Sequence, residues 1–313
     1  MPAPFKILSD FDGVWTEADL EAVALHDQLA GACATLLGID RPSAEADLAA
    51  FRREVQAEPH AFGWAPDGRI SAFADEDPLC EIAGLCLLVA VATHGVARRY
   101  RDAIEARWPS VQAFAEQSFV TAMARFRAEH PPTIAADARA QLDAVVERGA
   151  EVVVVSNSEP QKLEAWFRAA GIDAGEGEGH ELRIRGSAGK QVLAGDHAIE
   201  VAGRRVLVDR PRYREAIEQE RPVLVIGDVF SLDLALPHAM RTHGHPAAPR
   251  TLALRRHRHT PPWILESRAA GAIDHVVDRF GDLGALIEPF ALEPSALEPF
   301  ALEPSALEPT PES

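Results

Sequence analysis

The sequence predicts an α/β fold, a doubly wound parallel sheet interrupted by a mainly helical insertion. One observation is that residues 131–287 alternate short apolar runs with helix-like stretches of about ten residues. A further apolar run, Phe5-Lys6-Ile7-Leu8, stands alone near the start of the chain. Between them lies a long block, residues 18–130, that is helical in pattern and rich in Ala, Leu, Arg and Glu. These three segments together indicate a sheet whose first strand precedes an inserted domain.

The elements of the predicted sheet follow from local composition. β-Branched residues favour strands, and residues 152–155 are four consecutive valines. After the first apolar run, the predicted strands are 151–155, 204–208, 223–226 and, with a weaker pattern, 251–254 and 273–277. The predicted helices between them are 135–148, 162–170 and 212–220.

Composition also divides the chain into domains. We predict an α/β core of residues 1–17 and 131–287, and a helical cap of residues 18–130 inserted into it. Pro131-Pro132 ends the helical block, because the second proline cannot lie inside a helix. Residues 288–313 repeat Glu-Pro-Phe-Ala-Leu-Glu-Pro-Ser-Ala-Leu and carry six glutamates and no basic residue. With a proline at every fifth position, we expect a disordered acidic tail.

The charge and cysteine content exclude several classes of protein. The net charge of −17 argues against binding to nucleic acid or to an anionic membrane. The three cysteines, Cys33, Cys80 and Cys86, include no Cys-x-x-Cys pair, so we expect reduced thiols and a cytoplasmic protein. The N-terminus has no signal-peptide pattern, and the longest apolar stretch, about a dozen residues, is shorter than the ~20 that a membrane span needs. The oligomeric state stays open.

Polar residues follow three of the apolar runs. Asp10 and Asp12 come after the first strand, Ser156 follows the valine run, and Asp228 follows the strand 223–226, with Asp233 five residues later. In an open parallel sheet, ligands bind beyond the carboxyl ends of the strands, near the point where the strand order reverses. We therefore expect these side chains to converge on one site.

Such a site favours a hard cation. Buried carboxylates raise one another's pKa unless a cation neutralises them. A small all-oxygen ligand set that leaves room for water and a phosphate group suits Mg²⁺. Ser156 and nearby backbone N–H groups can donate hydrogen bonds to phosphoryl oxygens.

The order of these motifs resembles the haloacid dehalogenase-like (HAD) hydrolase superfamily. Its first motif is an apolar strand followed by Asp-x-Asp-Gly-x-x-Thr, and residues 10–16, Asp-Phe-Asp-Gly-Val-Trp-Thr, fit every position. Ser156 matches the second motif, and Gly227-Asp228 with Asp233 matches the fourth. The resemblance spans residues 10–233 and implies a Rossmann-like core.

The resemblance also implies a reaction and roles for the residues. Asp10 would be the nucleophile that forms an aspartyl-phosphate, and Asp12 would act as general acid and base. Mg²⁺ would be held by the Asp10 carboxylate, the Asp12 backbone carbonyl and Asp228, while Asp233 would orient the site. The implied function is hydrolysis of a small phosphorylated metabolite.

The basic residue of the third motif has two candidates. Arg210 follows the predicted strand 204–208 and precedes Pro211, where the superfamily often has Lys-Pro, and is the favoured choice. Lys190 competes, because its glycine-flanked loop, Gly186-Ser-Ala-Gly189, can approach the site closely.

Other interpretations remain open from the sequence. A phosphomutase shares these motifs, since Asp12 can return the phosphoryl group to a second hydroxyl. Dehalogenases usually lack the second aspartate, so Asp12 argues against carbon–halogen cleavage. A non-catalytic scaffold that docks through its tail has no need for the carboxylate cluster. The histidines of the segment 238–259, which include His257 and His259, are interpreted as solvated loop residues.

Overall fold

The computed structural model describes residues 5–17 and 19–292. The strands are β1 (Phe5–Ser9), β2 (Gly63–Trp64), β3 (Ala72–Phe73), β4 (Ala150–Val155), β5 (Ala174–Gly175), β6 (Leu182–Arg185), β7 (Ala198–Val201), β8 (Arg204–Leu207), β9 (Leu224–Gly227), β10 (Thr251–Arg255) and β11 (His275–Val277). The α-helices are α1 (Asp19–Leu37), α2 (Arg41–Ala57), α3 (Pro78–Val91), α4 (Gly95–Glu105), α5 (Val111–Glu129), α6 (Ala138–Val146), α7 (Pro160–Ala169), α8 (Pro211–Glu220), α9 (Ala235–Thr242), α10 (Pro262–Ser267), α11 (Leu283–Leu286) and α12 (Glu288–Leu292).

The predicted α/β fold is confirmed. Within the described residues, seven strands form one sheet in the order β11-β10-β9-β1-β4-β6-β5, and every strand pair in it is parallel. β1 pairs with β4 on one side and with β9 on the other. The chain therefore winds outward in both directions from β1, which places the topological switch point beside this strand.

Apolar side chains on both faces explain why these runs are buried strands. Alternate residues of a strand point to opposite faces. Ile7 joins one apolar cluster and Leu8 the other, and Val152 and Val153 divide in the same way. A parallel sheet covered on both faces needs such continuous apolar runs, which is the pattern that identified them in the sequence.

The helical insertion contains α1 to α5 and has an apolar cluster of its own, formed mainly by buried residues of these helices. Side-chain caps fix several helix starts: Asp40 accepts from the Ser43 N–H, and Asp77 from the Leu79 N–H. Among the helices that the structure describes, none is long and apolar enough to cross a membrane by itself. The pair α1 and α2 and the pair α3 and α4 are each long and apolar enough when their two helices are taken together, but each pair is sharply bent between its helices.

Two sequence expectations differ from the structure, and several short strands have no counterpart in the sequence analysis. The strand predicted at 204–208 exists as β8, but it pairs antiparallel with β7 in a separate two-stranded sheet, so it is not part of the parallel sheet. The sequence analysis predicts none of the short strands β2, β3, β5, β6 and β7, each of only two to four residues. α12 lies inside the segment predicted as a disordered tail, and its Phe290 packs against Phe5, with ring centroids 5.9 Å apart. Residues 293–313 of that segment lie outside the described residues.

Candidate active site

The turn after β1 begins the site. The Asp10 N–H continues the sheet by donating to the Ile226 carbonyl over 2.9 Å, and the chain then turns sharply. Gly13 has φ +78°, a conformation that favours glycine. A Cβ atom on Gly13 would lie 1.9 Å from Asp228 Oδ2. The glycine is therefore required both by its backbone conformation and by the close approach of the β9 aspartate.

Lys190 lies between two carboxylates of the site. Its Nζ is 2.8 Å from Asp10 Oδ1 and 2.8 Å from Asp233 Oδ1, and its side chain is almost fully buried. The side chain of Asn157 fixes the Lys190 loop by accepting its backbone N–H over 2.7 Å. Burial alone would lower the pKa of Lys190, but Asp10 and Asp233 outweigh it and raise the pKa. Lys190 therefore stays charged beside Asp10.

Asp228 approaches from the end of β9. Its Oδ1 is buried and has no hydrogen-bond partner among the residues that the structure describes. Its Oδ2 lies 3.4 Å from His257 Nε2, which also lies 2.7 Å from the Gly13 carbonyl oxygen. Burial, the largest cause, and the nearby charge of Asp233 raise the pKa of Asp228. One oxygen of this carboxylate is therefore free to receive a ligand.

The Asp12 carboxylate is held by the segment that follows β4. Its Oδ2 accepts from Ser158 Oγ over 2.6 Å, and its Oδ1 lies 2.8 Å from Lys162 Nζ. Ser156 Oγ is 3.5 Å from Asp12 Oδ2 and accepts from the Ser158 N–H over 3.0 Å. The ends of β1 and β4 are thus joined through their polar residues, as the sequence predicts.

Arg210, which the sequence analysis favours over Lys190 as the basic residue of the third motif, does not contact Asp10. Its guanidinium donates to the Ser71 Oγ and to the Ser71 carbonyl, both over 2.7 Å, and to the Leu207 carbonyl over 3.1 Å. A further bond goes to the backbone carbonyl of Lys190. The side chain is fully buried, and each described partner is an oxygen of Ser71 or a main-chain carbonyl. Arg210 therefore supports the loop through the backbone carbonyl of Lys190, whereas the Lys190 side chain contacts Asp10.

Two residues at the site were not predicted. His257 was interpreted as a solvated loop residue, but it is buried beneath the turn and contacts Asp228, because β10 ends next to β9. Lys162 lies in α7, and its role depends on a long side chain folding back to Asp12. The sequence signal for both is only their position shortly after a strand end, which is too common to single them out.

The carboxylates fit a cation. Carboxylate oxygens of Asp10, Asp228 and Asp233 lie within 4.8 Å of one another. Lys190 supplies one positive charge against these three groups, and Asp228 Oδ1 has no partner. Both oxygens of Asp233 already accept bonds, from Lys190 over 2.8 Å and from the Val229 N–H over 3.1 Å. The donor set is all oxygen and suits Mg²⁺, with Asp10 and Asp228 better placed than Asp233 to bind it.

Comparisons with known proteins give only distant structural similarity. No family model and no curated protein matches this sequence. Among solved structures, CbbY from Rhodobacter sphaeroides in complex with phosphate is 16% identical over 90% of this chain and 96% of its own, with a TM-score of 0.43. YfnB from Bacillus subtilis, named as a HAD-hydrolase and bound to magnesium, is 13% identical over 91% of this chain and 99% of its own, with a TM-score of 0.41.

A third solved structure, 2-haloacid dehalogenase from Pseudomonas syringae pv. Tomato DC3000, is 14% identical over 93% of this chain and 100% of its own, with a TM-score of 0.40. At such TM-scores the likeness itself carries no argument about activity, so the functional assignment depends on the geometry of the site.

Proposed function

We propose that this protein is a Mg²⁺-dependent phosphatase that hydrolyses a small phosphorylated metabolite through an aspartyl-phosphate. The observation that carries the proposal is the convergence of Asp10, Asp12, Ser156 and Asp228 at the ends of three neighbouring strands, with Lys190 in contact with Asp10. A carboxylate nucleophile, a second carboxylate two residues later and a buried ammonium group suit phosphoryl transfer through an aspartyl-phosphate.

Asp10 and Asp12 divide the proposed chemistry. An Asp10 oxygen attacks phosphorus, the bond from phosphorus to the leaving oxygen breaks, and Asp12 gives that oxygen a proton, so that an alcohol departs. A water molecule then attacks phosphorus and loses a proton to Asp12. The bond between phosphorus and Asp10 breaks, which releases inorganic phosphate and restores the Asp10 carboxylate.

Other residues bind the phosphoryl group and offset its charge. Lys190 is the basic residue for this role in our proposal, because its ammonium is already 2.8 Å from the Asp10 oxygen. The Ser156 hydroxyl would donate to a phosphoryl oxygen. The Asp10 carboxylate, the Asp12 backbone carbonyl and Asp228 would hold Mg²⁺, which when bound supplies Lewis-acid stabilisation of charge on the phosphoryl oxygens.

The helical insertion, residues 18–130, is the cap in this proposal. Its segment between β3 and α3 reaches the core, where Glu76 Oε1 accepts from the Ser231 N–H over 2.8 Å. Ser71 of the same insertion receives two hydrogen bonds from Arg210. A cap seated on the loops that carry Lys190 and Asp228 excludes water from the reaction. Such an enclosed site favours a small substrate.

The test is phosphate release from aryl phosphates, measured with added Mg²⁺ and after chelation. We expect turnover that depends on Mg²⁺ and falls by at least about 10³-fold in Asp10→Asn, the order found when a catalytic nucleophile is removed. Asp173→Asn is the matched control, since its side chain is 68% exposed and pairs only with His180 among the described residues. Full turnover in Asp10→Asn, or isomerisation of a sugar phosphate without phosphate release, would contradict the proposal.

A further inference from the structure

Lys162 is a buried cation that the chemistry above does not use. It is the third residue of α7 (Pro160–Ala169), and its side chain is 8% exposed. Its Nζ lies 2.8 Å from Asp12 Oδ1. The ammonium also lies over two aromatic rings, 5.7 Å from the centroid of Phe11 and 5.2 Å from that of Trp166, distances at which a cation and a ring attract. The lysine is thus held in place independently of Asp12.

Both oxygens of Asp12 are bound by the same short segment. Ser158 donates to Oδ2 over 2.6 Å, and Lys162 binds Oδ1. A carboxylate held at both oxygens cannot rotate about its last side-chain bond without breaking one of these contacts. This matters because the Asp12 side chain is 34% exposed, so that the surrounding packing alone does not fix it.

The same ammonium group connects Asp12 to the helical insertion. Glu21 of α1 has an oxygen 3.6 Å from Lys162 Nζ, and its side chain is 9% exposed. That oxygen, Oε1, has no hydrogen-bond partner among the described residues. Burial foremost, and Asp12 in addition, raises the pKa of Glu21, while Lys162 lowers it. Lys162 is therefore shared by a carboxylate of the core and a carboxylate of the insertion.

We propose that Lys162 is a positioning residue that holds Asp12 in the orientation needed to pass a proton to the leaving oxygen. The inference rests on the proposed function, since it concerns the step in which the phosphorus–oxygen bond breaks and that oxygen takes the Asp12 proton. Lys162 does not touch the substrate in this proposal. It acts through Asp12, and its pairing with Glu21 makes the orientation of Asp12 depend on the seating of the insertion.

Two other roles for Lys162 give different kinetics. A lysine that only stabilises the fold would, when replaced, lower turnover of all esters equally by reducing the folded fraction. A lysine that binds the phosphate group would raise KM equally for all esters. A positioning residue for the proton donor instead affects esters of poorly acidic alcohols most, because a good leaving group departs with little need of a proton.

The experiment measures single-turnover cleavage of a series of substituted phenyl phosphates with excess full-length enzyme and Mg²⁺. The rate is plotted against the acidity of the departing phenol for wild type, Lys162→Met and Lys162→Arg. For Lys162→Met we expect a loss of about threefold with nitrophenyl phosphate that grows to about 100-fold with phenyl phosphate, the lower end of a general acid's contribution. Lys162→Arg retains the positive charge. Its rate should therefore depend on the acidity of the phenol less steeply than that of Lys162→Met.

Arg168→Met is the control on the same helix, since its side chain is 75% exposed and pairs with Glu164. It should give the wild-type slope. Parallel plots for Lys162→Met and wild type would overturn the inference, as would a rise in KM alone. Circular dichroism shows whether Lys162→Met folds. If it does not, Lys162→Gln and Lys162→Arg replace it in the plot of rate against phenol acidity, and the wild-type slope in both would overturn the positioning role.

The two proposals fail in distinguishable ways. If wild type cleaves the series and Asp10→Asn does not, parallel plots for the Lys162 variants remove only the positioning role. If wild type releases no phosphate from any ester, the phosphatase proposal falls, and the inference that rests on it falls as well.

Discussion

The guanidinium of Arg210 binds Ser71 twice, with Nη1 2.7 Å from the side-chain oxygen and Nη2 2.7 Å from the carbonyl oxygen. This pair of bonds joins the core to the helical insertion. The same guanidinium binds the backbone carbonyl of Lys190. Arg210 therefore supports the loop of the site, while Lys190 contacts Asp10. Mutations of the two residues can separate these roles.

Lys190→Met removes the ammonium between Asp10 and Asp233. We expect phosphate release to fall by at least about 100-fold, because a charge-stabilising donor at the reacting group is lost. Removing one partner of a buried charge cluster also destabilises the fold by about 3–5 kcal/mol. Phosphate release and urea unfolding of the same preparations measure the two effects. Turnover within a few fold of wild type in folded protein would exclude Lys190 as the phosphoryl-binding residue.

Arg210→Met removes a buried donor of four hydrogen bonds. We expect the free energy of unfolding to fall by about 2–4 kcal/mol, since carbonyl oxygens are left buried without donors. Per folded molecule, the loss of turnover should be smaller than in Lys190→Met. Arg212→Met, at an exposed position two residues later, is the control. Unchanged stability with a large rise in KM would return the phosphoryl-binding role to Arg210.

Gly13→Ala tests the close approach of the two strand ends. The substitution introduces a Cβ 1.9 Å from Asp228 Oδ2 and a side chain at φ +78°. The backbone strain alone costs about 1–2 kcal/mol, and displacement of Asp228 should in addition weaken Mg²⁺ binding.

Gly203→Ala is the matched control for this prediction, because Gly203 has φ +76° and, apart from its chain neighbours, no atom of the described residues lies within 4 Å of the added Cβ. It should show the strain alone. Titration calorimetry with Mg²⁺ and urea unfolding compare the two variants. Equal Mg²⁺ affinity in both would show that Asp228 does not hold the ion.

Glu220 gives a pH dependence that lies outside the site. At the end of α8, its carboxylate is bound by Lys6 of β1 and by Arg183 and Arg185 of β6. Burial alone would raise the pKa of Glu220, but these cations outweigh it and lower the pKa below 4.5. The stabilisation is therefore present above about pH 4.5 and is lost as the pH falls through the lower, folded-state pKa.

Glu220→Gln should destabilise the protein by about 3–5 kcal/mol at pH 7, because it removes one partner of a buried ion-pair network. The difference from wild type should shrink as the pH falls below 4.5. Urea unfolding at several pH values measures it, with the exposed Glu215→Gln as control. A difference that stays constant from pH 7 to pH 3 would show that the network does not stabilise the fold through charge.

Much of the site could be predicted from the sequence because it depends on local patterns. Apolar runs long enough to form buried strands identify β1, β4 and β9, and the residues just after them are adjacent in any sheet that winds outward from β1. That rule predicts the proximity of Asp10, Asp12, Ser156 and Asp228, whereas their proposed roles come from the order of the motifs, which resembles that of the HAD superfamily. The helical block between Asp12 and the second strand is equally visible as an interruption of the alternation.

The tertiary structure decided which side chains complete the site. Lys190 and Arg210 are both cations in loops after strands, and only the three-dimensional path of each loop shows that the first reaches Asp10 while the second turns to Ser71. Lys162 contacts Asp12, which lies 150 positions earlier in the chain. His257 contacts the carbonyl oxygen of Gly13, which lies 244 positions earlier. Local sequence does not predict such contacts, because they depend on the way in which extended side chains fill the space between packed elements.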